Sequence, residues 1–379
     1  MKTLFGLLVA VLVSSGCSTL QSMNPFASSA PKMAALPVIK ATAAARVVWR
    51  HNVGKAGLYA FTPAVVGKSV YAAGSDGVLV RIDDGAVVWK VNAGMPLSGG
   101  VGADERMVVV GSPKGDVLAF DTNDGKPLWK ARATSEVLAP PAIGEGLVVV
   151  RSGDNRLAAY AAEDGRRKWI YQRPLPALSL RVTSGPIIDD KFVFAGFPGG
   201  KLIAVSTSNG AAVWEGTVAI PKGATELDRV ADITSAPVIA GRTVCSVAYQ
   251  GRVACFELGN GAQAWVRDMS SAVGLTIDGR YVYVTDDKGA VHALDLASGA
   301  SLWKQDKLVS RRVSAPAVRR GLVAVADGEG FIHFMRRDDG SFVARLPTDG
   351  SPVLAPPQVI GANLVVQTSN GGVFVVEAE

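Results

Sequence analysis

The chain has 379 residues, 48% of them hydrophobic, which supplies a sizeable core for one large or two ordinary domains and excludes a disordered protein. Its 42 glycines and modest charged fraction suit short strands and tight turns better than long helices, so an all-β domain is expected. A net charge of +6, with no run of five like charges and no basic stripe interleaved with aromatics, argues against nucleic-acid binding.

Residues 1–16 carry one lysine, an apolar stretch from Leu4 to Val13 and then small residues. Ten apolar residues are too few for a permanent membrane span, so this segment reads as a cleaved signal peptide, and the exported chain matures in an oxidising compartment. Small residues running into Cys17 resemble a bacterial lipobox, which implies acylation of Cys17; the family favours Leu where Ser14 stands. The alternative is ordinary cleavage with Cys17 a chance neighbour. Each buried methylene contributes ~0.8 kcal/mol, so several acyl chains would hold the protein on a membrane. In lipoprotein sorting, Ser18 in place of Asp points to the outer membrane. The stretch 17–44, rich in Ser, Ala and Pro, reads as a lipidated cysteine and a flexible tether reaching ~25–30 Å.

From 45 to 379 the chain is a repeat. All seven tryptophans fall in one series, Trp49, Trp89, Trp129, Trp169, Trp214, Trp265 and Trp303, at spacings of 40, 40, 40, 45, 51 and 38. Each unit places a strand, an Asp-Gly, Asn-Gly or Ser-Gly turn and a Trp-bearing strand in order, as in GDVLAFDTNDGKPLW (115–129). Such turns supply the positive φ of a tight hairpin. A further copy, 330–344, has no tryptophan and puts Phe342 near its position. Two more apolar runs precede each hairpin, giving four strands in about 40 residues, one propeller blade. Inner strands near Pro63, Val101, Pro141, Pro186, Pro237, Gly274, Pro316 and Pro356 make eight blades. The lone N-terminal strand RVVWRHNV (46–53) is expected to complete the last blade and close the ring.

The blade endings resemble the repeats of pyrroloquinoline-quinone dehydrogenases, which makes an enzyme the first hypothesis. Those enzymes carry a vicinal cysteine pair and a calcium site of Glu, Asn and Asp; here no two cysteines are adjacent, and His51, His292 and His333 lie far apart. No metal spacing, nucleophile elbow, P-loop or dinucleotide fingerprint is found, so no catalytic residue, metal or cofactor is expected. Cys245 and Cys255 flank one hairpin. They could form a cross-strand disulfide, or be two small buried hydrophobes.

The repeat lengthens at two neighbouring places, between Trp169 and Pro186 and between Trp214 and Pro237. Both are connectors between blades, so the insertions should rise side by side on one face, where binding surfaces are built on rigid scaffolds. The first contains Leu178, Leu180 and Arg181; the second contains Glu226, Asp228, Arg229 and Asp232. Apolar anchors beside a mixed-charge rim form a protein-interface composition. The competing reading folds the leucines back over blade edges.

The lipobox, the eight-blade repeat and the stretches PALSLR (176–181) and ATELDRVADITSAPV (224–238) together resemble the BamB family, the lipoproteins of the outer-membrane β-barrel assembly machinery. The resemblance implies a non-enzymatic scaffold that binds the periplasmic POTRA domains of BamA and aids insertion of outer-membrane proteins. It carries the family's Leu-Ser-Leu-Arg contact onto Leu178, Leu180 and Arg181, and its acidic contact onto Asp232. The second acid of that contact is Thr234 here, with Glu226 or Asp228 as possible substitutes. It further suggests that exposed blade edges hold unfolded outer-membrane proteins by adding a strand, on which the residues are silent. A quinone-dependent periplasmic dehydrogenase and another envelope scaffold are the alternatives.

Overall fold

The structure, a computed structural model, describes residues 32–181 and 183–379. The expected signal peptide, Cys17 and the first part of the tether lie outside the described residues. From Ala45 on, thirty-two strands form eight four-stranded antiparallel sheets, and successive sheets adjoin around a ring, through their inner strands at most junctions and through the cluster of Phe194, Val244 and Phe256 between the fourth and fifth, the eighth meeting the first. This is the expected eight-bladed β-propeller. Blades 1 to 7 are each continuous in sequence. Blade 8 takes three strands from the C-terminus, and Ala45–Asn52 pairs with its strand Gly372–Ala378.

The second and third strands of each blade are covered on both faces by neighbouring blades, so they are mostly apolar rather than alternating. Leu147–Arg151 and Leu157–Ala161 of blade 3 are buried at every position. Outer strands are buried at few positions, and in Arg167–Tyr171 the fully buried residue is Trp169.

The reason for the tryptophan period lies between blades. Six indole N–H groups donate to a backbone carbonyl of the next blade at 2.7 to 3.0 Å: Trp89 to Thr122, Trp129 to Ala162, Trp169 to Thr207, Trp214 to Leu258, Trp265 to Leu296 and Trp303 to Arg337. Each ring also lies on the turn glycine of that next blade. Gly165, with φ +71°, has no room for a side chain, because a Cβ would come within 2.6 Å of the Trp129 ring. The turn glycine is thus needed twice, for its backbone conformation and for the bare surface it offers the indole. Trp49 makes the same contact on Gly85, so the ring closes by the rule that builds it.

Blade 7 departs from the pattern. The tryptophan register falls on Ala344, opposite Phe334, and Phe342 lies two residues earlier, across a bulge. Residues 42 and 43 lie at this outer strand, donating their amides to the Val343 carbonyl at 2.9 and 3.2 Å. The segment from Ala34 is therefore not the free tether expected for 17–44 but a strap on the propeller. Arg311 donates to the Ala34 carbonyl and Arg345 to the Pro37 carbonyl, each at 2.9 Å. Both arginines belong to a buried network. Asp327 accepts from Arg311 at 2.8 Å and lies 2.9 Å from His333 Nε2, while Arg345 Nε donates to His333 Nδ1 at 3.2 Å. His292 repeats the pairing with Asp286 in blade 6.

Cys245 and Cys255 stand directly opposite each other across two buried strands of blade 5, with 4.1 Å between their Cα atoms, and are joined as a disulfide.

Candidate functional site

Among the eight connectors between blades, 172–186 and 218–237 are the longest, and they leave adjacent junctions of the ring. The first runs out along the surface. Among its described residues, 174–186 makes no backbone-to-backbone hydrogen bond, so its course is set by side chains. Arg173 pairs with Glu215 at 3.2 Å and Arg181 with Glu136 at 3.0 Å. Leu178 is 48% exposed, Leu180 is half-buried, and Arg181 projects into solvent beyond its ion pair.

The second connector is pinned at both ends. Val218 and Ala219, then Ala231 and Ile233, are buried in one cluster with Phe194, Val244 and Phe256. Gly196 makes this possible: a Cβ there would lie 2.0 Å from Ile233. Between these ends, 220–229 stands out of the surface as a tight turn. Asp228 accepts from the Thr225 hydroxyl at 2.7 Å and the Thr225 amide at 3.1 Å, which hold its carboxyl below the usual range. Arg229 pairs with Glu226 at 3.2 Å and donates to the Gly223 carbonyl. Glu226, Asp228 and Arg229 are all exposed, as expected of a charged rim.

Asp232 does not face outward, as a direct acidic contact would require. It is 1% exposed. One carboxylate oxygen accepts from the Leu180 amide at 2.7 Å, the other from the Gly199 amide at 3.0 Å. The side chain therefore lies beneath the leucine stretch and joins the two insertions to the hairpin of blade 4. Burying a carboxylate is tolerable only with such donors. Thr234, where the family's second acid was expected, donates its hydroxyl to the Ala272 carbonyl at 2.8 Å. The two connectors thus form one surface, with leucines above and the acid below.

Sequence reasoning missed three further apolar members: Leu175, Ile220, which is 56% exposed, and Leu227, which is 69% exposed. Their signal was present in the position of apolar residues within long polar connectors. Among the described residues, no group of three or more His, Cys, Asp or Glu is placed to hold a metal ion. The arrangement offers solvent-facing leucines and exchangeable charges, suited to docking a protein surface.

The model of the family described as outer membrane protein assembly factor BamB matches residues 75–305. The outer membrane protein assembly factor BamB of Bordetella pertussis is 43% identical over 98% of this chain and 96% of its own. The crystal structure of BamB from Moraxella catarrhalis superposes with a TM-score of 0.83 over 88% of this chain and all of that one, at 26% identity. A quinohemoprotein alcohol dehydrogenase from Comamonas testosteroni shares the fold at a TM-score of 0.70 with 13% identity, over 88% of this chain and 76% of that one, a likeness of architecture alone.

Proposed function

The chain belongs to the BamB family of outer membrane protein assembly factors, and on that premise we propose that it is a non-enzymatic scaffold docking the POTRA domains of BamA. Leu178 and Leu180 enter apolar hollows on the partner, and Arg181 exchanges Glu136 for a partner carboxylate. An exposed ion pair contributes only about 0–1 kcal/mol, so the exchange is nearly free. Glu226, Asp228 and Arg229 form a rim that steers and registers the complex. The protein is held at the periplasmic face of the outer membrane by acylated Cys17.

The observation that carries this reading is the direct bond from the Leu180 amide to Asp232, which makes one surface of the two places where the repeat is interrupted. The two connectors together hold Leu175, Leu178, Ile220 and Leu227 toward solvent on that one surface. Co-purification with BamA from membranes tests it. Wild type should capture BamA, and Leu178→Ala/Leu180→Ala/Arg181→Ala, still folded, should lose most of that capture. Undiminished capture by the triple variant would overturn the site.

A further inference from the structure

Arg151 ends the second strand of blade 3 and is 3% exposed. One terminal nitrogen donates to Asn155 Oδ1 at 2.8 Å, its guanidinium lies over the Phe197 ring with the central carbon 5.1 Å from the centroid, and its Nε has no partner. Burial weakens its hold on the proton, and Asp232 is the acid whose charge opposes that effect. A buried guanidinium with an unfilled donor needs a counter-charge, and a buried carboxylate needs the same. Blades 1, 2, 5, 6, 7 and 8 end their second strands on Ala73, Gly111, Val247, Thr285, Ala326 and Gln367, so the cation is particular to the blade that precedes the first insertion.

We infer that Arg151 and Asp232 are positioning residues of the docking surface: Asp232 acts through the Leu180 and Gly199 amides rather than by touching a partner, and Arg151, lying over the Phe197 ring, steadies the hairpin that presents Gly199. The chain of contacts supports this order. Among its described residues, 174–186 makes no backbone-to-backbone hydrogen bond, so the carboxylate's bond to the Leu180 amide fixes the height of the leucine stretch, beside the Arg181–Glu136 ion pair. Gly199 ties the same carboxylate to the hairpin following Phe197, the ring that Arg151 covers. The two residues are therefore linked through Phe197 and Gly199 beneath the leucine stretch. The partner's identity rests on the reading above; the internal linkage does not.

The test uses Asp232→Asn and Arg151→Met in the full chain, each first checked for an intact thermal transition. Hydrogen exchange of the free protein reads the linkage without any partner: both variants should speed exchange at Leu180 and Gly199 by about tenfold or more while strands of blades 6 and 7 stay protected. Binding to the purified POTRA region of BamA then reads the consequence. A residue that acts by position should raise the dissociation rate, leave the salt dependence of association as in wild type, and add nothing further to Leu178→Ala/Leu180→Ala; Arg181→Ala should change the salt dependence. Unaltered exchange at Leu180 in both variants would overturn the inference, as would a loss in Asp232→Asn that adds fully to the leucine variant. If Asp232→Asn does not fold, Arg151→Met carries the same measurements alone. If wild type does not bind the POTRA region, the proposed partner fails, and the exchange data still decide the linkage.

Discussion

Trp49 of the N-terminal strand lies on Gly85, the turn glycine of blade 1, where a Cβ would stand 3.0 Å from the tryptophan Cβ and 3.1 Å from Cγ. The strand thus belongs to blade 8 by its hydrogen bonds and to blade 1 by its side chain, so it fastens the last blade to the first. Gly85 also sits at φ +85°, a conformation strained for any residue with a side chain. Gly85→Val should therefore lose about 2–4 kcal/mol through strain and overpacking combined. Denaturant unfolding checks it: the midpoint should fall well below that of Gly67→Val, where φ is also positive but nothing lies within 4 Å of the added carbon. Equal losses would mean that backbone strain alone accounts for the effect.

The ring was legible in the sequence because its joints are local and repeated. A tryptophan and a turn glycine at fixed offsets are visible in each unit, and the unit length reported the insertions. Asp232 was not legible in the same way. Whether a loop carboxylate faces solvent depends on which amides come to meet it, and Leu180 and Gly199 arrive from other segments. The strap was hidden for a similar reason. Residues 34–44 have no periodicity, and their order comes from carbonyl capture by Arg311 and Arg345 and from the space left where blade 7 has Ala344 in place of tryptophan.

The strap should depend on those arginines. Arg345→Ala removes the donor to the Pro37 carbonyl while leaving the Arg311–Asp327 pair in place. Trypsin should then cut after Lys40 several-fold faster than in wild type, because cleavage requires that segment to leave the surface. The propeller should resist as before. A cutting rate equal to wild type would show that the bonds at Thr42 and Ala43 hold the segment without Arg345.

Stability should fall on mild acidification through His333. Burial holds its pKa below 6.5 despite the opposing pull of Asp327, and the charges of Arg345 and Arg311 act in the same direction as burial. Phe331 and Phe342 flank the ring. The unfolded chain therefore binds a proton that the folded one refuses, so stability is lost as pH falls through about 6.5. Asp327 acts lower. Burial alone would raise its pKa, but bonds from His333, the Phe331 amide and Arg311 bring it to about 2, so its contribution is present above about 4 and lost below. Denaturant midpoints from pH 7.5 to 5 should decline in wild type and flatten in His333→Gln. Parallel curves would remove His333 as the cause.

The disulfide gives a separate check on blade 5. Unreduced protein, denatured, should show no free thiol from Cys245 or Cys255. Cys245→Ala/Cys255→Ala should lower stability by about 2–4 kcal/mol, the usual range for a small closed loop. Both sulfurs are buried, so reduction should require denaturant. Rapid reduction of the native protein would mean that the second and third strands of blade 5 open readily.

Ile220 and Leu227 bring the last expectation. Their side chains are more exposed than Leu178, so they support little of the fold, and replacing either by alanine should leave the unfolding midpoint within about 0.5 kcal/mol of wild type. Yet both project from the same connector that Asp232 joins to the leucine stretch, so a partner seated on Leu178 meets them next. Ile220→Ala/Leu227→Ala should weaken capture of the BamA POTRA region by about tenfold, less than the triple variant of the first connector, because anchors near the centre of an interface outweigh those toward its rim. The comparison separates two geometries. If the second connector serves only as a charged rim, the double variant binds as wild type while Glu226→Ala/Asp228→Ala slows association at low salt; if its apolar residues are seated in the partner, dissociation accelerates and salt has little effect.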